Sequence, residues 1–183
     1  MNRFDQLKTT ITDVKVIISK PIIDERGELN RIFCKKELKK IFSKNIVQIN
    51  HTLTKEVGSI RGLHYQKTPY REVKMIKCIK GKVFDVALDI RKNSPTFLNY
   101  HSEILSSKNN KIIIIPEGFA HGFQTLTKNS ELIYFHTQFY NQKYENGINL
   151  NDKKINIKWP KKITFISNRD KKFKLLTNNF EGI

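Results

Sequence analysis

The chain has 183 residues, room for one hydrophobic core and too little for two ordinary domains, so a single domain over residues 1–183 is expected. Its 34 Lys and Arg against 17 Asp and Glu leave a formal charge of +17, a balance that suits nucleic acid, acidic lipid or a phosphorylated small molecule. The lysines are scattered in pairs such as Lys39-Lys40 and Lys153-Lys154, with no helix-turn-helix, zinc finger, RNP-type motif or long basic tail, which argues for a solvated surface and no nucleic-acid partner.

The two cysteines, Cys34 and Cys78, have neither disulfide nor zinc spacing. The N-terminal stretch has no apolar run of signal-peptide length, and nothing downstream approaches the roughly 20 apolar residues of a membrane span. A cytoplasmic protein without membrane contact is expected.

In chain order, residues 35–42 read as a short helix or turn. Residues 73–79 are β-rich, and residues 82–90 alternate, with Phe84, Val86, Leu88 and Ile90 on one face and Asp85, Ala87 and Asp89 on the other. Between them, Lys80-Gly81-Lys82 predicts a tight hairpin. The run 112–115 ends at Pro116, and residues 131–140 alternate again, putting Tyr134, His136, Gln138 and Tyr140 on one face. A polar and aromatic face of this kind suits either solvent or a barrel lumen that holds a small ligand. A second short helix or turn falls near the C-terminus. Many short strands with Gly and Pro turns and no alternating helices predict an antiparallel sandwich or small barrel.

Three histidines sit in settings that invite chemistry: His51 in Gln-Ile-Asn-His, His64 in Arg-Gly-Leu-His-Tyr-Gln, and His121 in Pro-Glu-Gly-Phe-Ala-His. The last has the Pro-x-Gly-x-x-His spacing of the second cupin motif. Metal-binding cupins carry His-x-His in the first motif, where this chain has His64-Tyr65-Gln66. A ligand is missing, and no metal is expected.

The motifs then become specific. Arg61-Gly-Leu-His64-Tyr-Gln, Lys74 ten residues after that histidine, Gly81-x-Val-Phe-Asp85-Val, Asp89-Ile-Arg91-x-x-Ser94-Pro-Thr-Phe97, Ile115-Pro-Glu-Gly-Phe-Ala-His121-Gly-Phe, Asn151-Asp152 and Ile157-Lys-Trp159-Pro160 occur in this order. Asp24-Glu-Arg26-Gly27 precedes them and Ser167-Asn-Arg-Asp170 follows. The chain resembles the dTDP-4-dehydrorhamnose 3,5-epimerases, cupin-type nucleotide-sugar epimerases, over roughly residues 15 to 175.

The resemblance implies an all-β jelly-roll barrel with a few short helices, acting as a homodimer without a cofactor. The implied reaction inverts C3 and C5 of dTDP-4-dehydro-6-deoxy-D-glucose, for surface-polysaccharide precursor synthesis. The family's histidine base and its aspartate match His64 and Asp170, its tyrosine acid matches Tyr134, and its enolate-stabilising lysine matches Lys74. Arg61 and His121 match residues lining the sugar or phosphate site, Arg26, Gln48 and Asn50 resemble nucleotide contacts, and Phe139 stands where a second tyrosine near the base is common.

The residue types fit that chemistry. A C–H next to a ketone is a weak acid, so a site must both remove the proton and hold the charge that forms on the keto oxygen. Lysine supplies the charge, histidine has a near-neutral pKa for the base role, and a phenol keeps its proton for delivery to the opposite face. Two further departures from the family stand out: Glu28-Leu29 replace bulkier or aromatic residues after Arg-Gly, and His136 replaces a smaller residue, as a filler of lumen or solvent face. An epimerase acting at C3 alone or on another nucleotide-4-keto-sugar, and a non-catalytic binding protein, are the alternatives.

Overall fold

The computed structural model describes residues 2–183. Strands β1 (Phe4–Leu7) and β2 (Lys15–Ser19) are followed by the small ribbon β3 (Ile22–Asp24) and β4 (Gly27–Leu29), and by the short helix α1 (Lys35–Leu38). The central strands are β5 (Gln48–Thr54), β6 (Ile60–Gln66), β7 (Lys74–Lys80), β8 (Lys82–Asp89), β9 (Tyr100–Ser106), β10 (Lys111–Ile115), β11 (Phe119–Thr125) and β12 (Ser130–His136). Strand β13 (Glu145–Gly147) and helix α2 (Asn168–Lys171) complete the elements.

The central strands pair in a nested series, β8 with β9, β7 with β10, β6 with β11 and β5 with β12, all antiparallel. Such nesting is one long double ribbon folded over itself, the jelly-roll path. It yields a six-stranded sheet in the order β1-β2-β10-β7-β12-β5 and a five-stranded sheet in the order β13-β6-β11-β8-β9. The all-β jelly-roll expectation holds.

One local expectation does not. Strands β7 and β8 belong to different sheets, so Lys80-Gly81-Lys82 is a corner between sheets and not a hydrogen-bonded hairpin. Gly81 has φ +77°, and a Cβ there would fall 2.7 Å from the Ser130 hydroxyl oxygen and 3.1 Å from its Cα. The glycine is needed for a left-handed conformation and for close approach, a requirement that a corner and a hairpin share. Strand β12 also stops at His136, short of the expected 140, and the chain beyond leads to β13, which pairs with β6 of the other sheet.

Three apolar clusters explain why these strands are hydrophobic on both faces. Val16, Ile76, Ile113 and Leu132 from one sheet meet Val83, Ala87, Leu105 and Phe123 from the other inside the barrel. On the outer face of the six-stranded sheet, Ile17, Met75, Ile112 and Phe135 are covered by Leu38 and Phe42 of the α1 segment. On the outer face of the five-stranded sheet, Leu63, Val86 and Leu88 lie under Ile148, Ile155 and Trp159 of the C-terminal stretch. Phe84, Val86, Leu88 and Ile90 of the alternating segment therefore face a covered exterior, while Asp85 and Asp89 point inward and are fully buried.

Candidate active site

Between the sheets lies a cavity of about 550 Å³, a size suited to a small-molecule ligand. Its lining comes from β5, β6 and β11, from β7 and β12, and from the segment around α2. Among the residues singled out in the sequence, His64, Tyr134, Asp170, Lys74, Gln48, Asn50, Arg61 and His121 line it.

His64, on β6, directs Nε2 at Asp170 Oδ1 across 2.8 Å. Asp170 comes from α2, whose N-cap Ser167 accepts a 3.1 Å hydrogen bond from the Asp170 backbone N–H. The helical turn thus drives a carboxylate into a buried position. Burial opposes ionisation of Asp170, but the bonds from His64 and from the Gly62 backbone, with Arg169 nearby, outweigh it and hold the carboxyl below the usual range. Arg169 Nη2 also lies 3.0 Å from His64 Nε2. One ring nitrogen cannot donate to a carboxylate and accept from a guanidinium, and Arg169 has its own acceptors in Glu145 at 2.9 Å and Asp170 at 3.3 Å. The proton belongs on Nε2, donated to Asp170, which leaves the Nδ1 lone pair for a ligand. Gly62 (φ +115°) lets the backbone of Gly122 approach here, where a Cβ would sit 2.5 Å from the Gly122 Cα.

Tyr134 enters from β12, in the opposite sheet. His121 meets its ring edge-on at 5.9 Å and 71°, and His136 lies nearly parallel at 6.1 Å and 16°. Burial, reinforced by the charge of Asp85, raises its pKa above the ordinary tyrosine range, so the phenol is a proton carrier at neutral pH. His121 is itself fixed by a 2.9 Å bond between Nε2 and Asp85 Oδ2. Asp85, read as part of a polar strand face, is the buried brace of this histidine.

Lys74 begins β7 and is paired with Glu72 at 3.4 Å. Arg61 donates from Nε to Thr54 Oγ1 at 2.9 Å and from Nη2 to the Leu53 carbonyl at 3.3 Å. Among the described residues it has no carboxylate partner, which leaves its charge available to an anion.

Arg26 and Phe139 are not brought to this cavity. Arg26 sits at the tip of the β3–β4 ribbon, 84% exposed, with Nη2 donating to Asp24 at 2.5 Å. Phe139 lies beyond the end of β12 with its ring largely in solvent. His51 points away from the cavity, to Glu131 at 3.0 Å on the outer surface. Tyr140 of the polar and aromatic face lines the site as well, and Glu72, Glu145 and Arg169 line it without having been singled out. The signals were modest: Glu72 shares strand parity with Lys74, and Arg169 lies inside the Ser-Asn-Arg-Asp motif. Among the described residues, no group of three or more His, Cys, Asp or Glu side chains is placed to hold a metal.

Comparison with known proteins gives this geometry its context. The family model described as dTDP-4-dehydrorhamnose 3,5-epimerase matches residues 8–178. A dTDP-4-dehydrorhamnose 3,5-epimerase of Shigella flexneri is 42% identical over 166 residues, covering 90% of this chain and 91% of the relative. The crystal structure of the Bacillus anthracis dTDP-4-dehydrorhamnose 3,5-epimerase with TDP and PPi bound superposes with a TM-score of 0.91 at 35% identity, covering 94% of this chain and 99% of that one. The Legionella pneumophila dTDP-6-deoxy-D-glucose-3,5-epimerase in complex with dTDP-4-keto-L-rhamnose gives 0.89 at 35% identity, covering 94% and 92%.

Proposed function

The chain belongs to the dTDP-4-dehydrorhamnose 3,5-epimerase family, and from that premise we propose how its cavity inverts C3 and C5 of dTDP-4-dehydro-6-deoxy-D-glucose. It is an isomerase of the dTDP-rhamnose route. The observation that carries the division of roles is the origin of the two proton-handling groups: His64, braced by Asp170 of α2, comes from one sheet and Tyr134 from the other, and all line one cavity.

His64 Nδ1 takes the proton from the carbon next to the ketone, and Asp170 stabilises the imidazolium that forms. The electrons move to the keto oxygen, where the Lys74 ammonium, only 13% exposed, offsets the charge more strongly than it would in water. Tyr134 then donates its proton to the other face of the carbon, so the centre is inverted. Arg61 and His121 line the sugar or phosphate part of the site, and Gln48 and Asn50 face the nucleotide. C3 and C5 are both α to the C4 ketone, so once the His64 imidazolium has given its proton to solvent and the Tyr134 phenolate has regained one, the same events can repeat at C5.

The enzyme acts as a homodimer of one-domain chains. Ile23 and Leu29 on the β3–β4 ribbon are 75% and 70% exposed, and the ribbon pairs only with itself. Exposed Ile49 and Leu53 lie on edge strand β5. A second copy is the occupant that fits, because Arg26 at the ribbon tip, outside its own cavity, then has a site to reach. Cys34 and Cys78 are unpaired, which suits a reducing cytoplasm; no helix among the described residues is long and apolar enough to cross a membrane.

The test is solvent exchange. In deuterated water the protein should introduce deuterium at C3 and C5 of dTDP-4-keto-6-deoxyglucose, read by NMR, and His64→Ala should lower uptake by about 10²- to 10⁴-fold. No uptake by the folded wild-type protein would sink the reading, and exchange at C3 alone would make it a 3-epimerase.

A further inference from the structure

His136 is the residue the reaction scheme leaves without a task, yet it is buried in the cavity wall beside Tyr134. Its hydrogen bonds form part of a chain whose polarity can be read without ambiguity. The backbone N–H of Tyr140 can only donate, and it meets Gln48 Oε1 at 3.0 Å. That fixes the Gln48 amide, so Nε2 donates to Asn50 Oδ1 at 3.2 Å. Asn50 is fixed in turn, and its Nδ2 faces His136 Nε2 at 3.3 Å. An amide N–H needs a lone pair opposite it, so the His136 proton lies on Nδ1, 2.6 Å from Glu72 Oε2. The remaining oxygen, Glu72 Oε1, faces Lys74 Nζ.

The two distances at Glu72 differ in an informative way. The bond to His136, at 2.6 Å, is short even for a charge-assisted pair, whereas the ammonium of Lys74 stands off at 3.4 Å. The carboxylate is gripped by the imidazole and cannot close fully on the lysine. Lys74 is only 13% exposed and Glu72 is the carboxylate it faces; with a tighter counter-charge it would have little field to spare. Burial opposes ionisation of Glu72, but Lys74 and His136 outweigh it and keep the carboxyl below its usual range, so the negative charge is present at neutral pH.

We propose that Glu72 and His136 are positioning residues for Lys74, holding its ammonium in place but loosely paired so that it can offset the negative charge of the enolate. The proposal rests on Lys74 having that role. It also gives a physical meaning to His136: the ring is a strut between the amides of β5 and the carboxylate ahead of β7.

Two near-isosteric substitutions separate the halves of the ring. In His136→Asn the amide nitrogen takes the place of Nδ1 and keeps the donor to Glu72; in His136→Gln the amide takes the place of Nε2 and keeps only the Asn50 side. With dTDP-4-keto-6-deoxyglucose as substrate, His136→Gln and Glu72→Gln should each lower kcat about tenfold with KM within about twofold, the pattern of an interaction made in the transition state. His136→Asn should stay within about threefold of wild-type kcat. The Glu72→Gln/His136→Gln double variant should lose little more than either single one, because both act through one contact. Equal kcat for His136→Asn and His136→Gln, or a rise in KM with kcat unchanged, overturns the proposal. Lys74→Met separates this from the underlying assignment. If that variant keeps wild-type kcat, the role of Lys74 itself is wrong; if it is inactive while Glu72→Gln and His136→Gln turn over normally, the positioning pair alone is wrong.

Discussion

Tyr134 is the residue on which inversion, as distinct from exchange, depends. Its phenol is enclosed by His121 and His136 and holds its proton above the ordinary range, so it can give a proton to a carbanion-like centre but is a poor base. Tyr134→Phe keeps the packing and removes the donor. The expected outcome is deuterium entering unepimerised substrate at C3, returned to the face from which His64 removed the proton, with inverted product reduced by at least about a hundredfold. Near-normal epimerisation would pass the donor role to another group in the cavity. Loss of exchange as well would show that the phenol is needed to form the enolate. This residue was legible because a whole motif order surrounds it. Glu72 was not, since a carboxylate two positions before a lysine is ordinary surface patterning until a buried histidine from another strand is seen against it.

At the scale of the elements, the strands were legible by alternation but their environments were not. Alternation distinguishes two faces and does not say which is wet. In β8 both are dry: Val86 and Leu88 lie under the C-terminal stretch, while Asp85 and Asp89 point inward. The corner at Gly81 was misread for a similar reason, because the turn residue is the same whether the next strand pairs with the last or crosses to the other sheet. Asp89 shows what an inward carboxylate does for an element. It closes the end of β8 by accepting from Arg91 Nη2 at 2.7 Å, Ser94 Oγ at 2.5 Å and Thr96 Oγ1 at 2.6 Å. Burial opposes its ionisation, but these donors prevail and lower its pKa to about 2. A depressed carboxyl pKa contributes stability that is complete above the unfolded value near 4 and is lost as pH falls through about 2. Arg91 is partly solvated, so about 1 to 2 kcal/mol is a fair discounted scale. Asp89→Asn should therefore be less stable than wild type to urea at pH 7, and the gap should narrow steadily between pH 4 and pH 2. A gap independent of pH would mean that shape, and not charge, makes the contribution.

The whole molecule poses a different question, because its cavity is built by one chain while two of its implied ligand contacts, Arg26 and Phe139, lie outside it. Arg26 is at the tip of a ribbon that touches neither sheet through backbone bonds and carries Ile23 and Leu29 into solvent. Two large aliphatic side chains on an unpaired ribbon are an unfavourable arrangement for a free monomer, since each gains about 1.5–3 kcal/mol on full burial. The high net charge works the other way and discourages association unless the contact is specific. If the ribbon docks on a second copy and brings Arg26 to that copy's cavity, assembly and ligand affinity can be separated by substitution. Ile23→Asp with Leu29→Asp should shift the mass measured by light scattering from dimer to monomer and cut kcat/KM sharply. Arg26→Ala should leave the dimer intact and raise KM about tenfold, as expected for the loss of a charge-assisted contact to a phosphate or base. A dimer that survives both aspartates would place the interface elsewhere, on the exposed edge of β5 first. An unchanged KM in Arg26→Ala, with the dimer preserved, would show that the ribbon serves assembly alone and that the ligand is held entirely by the cavity of a single chain.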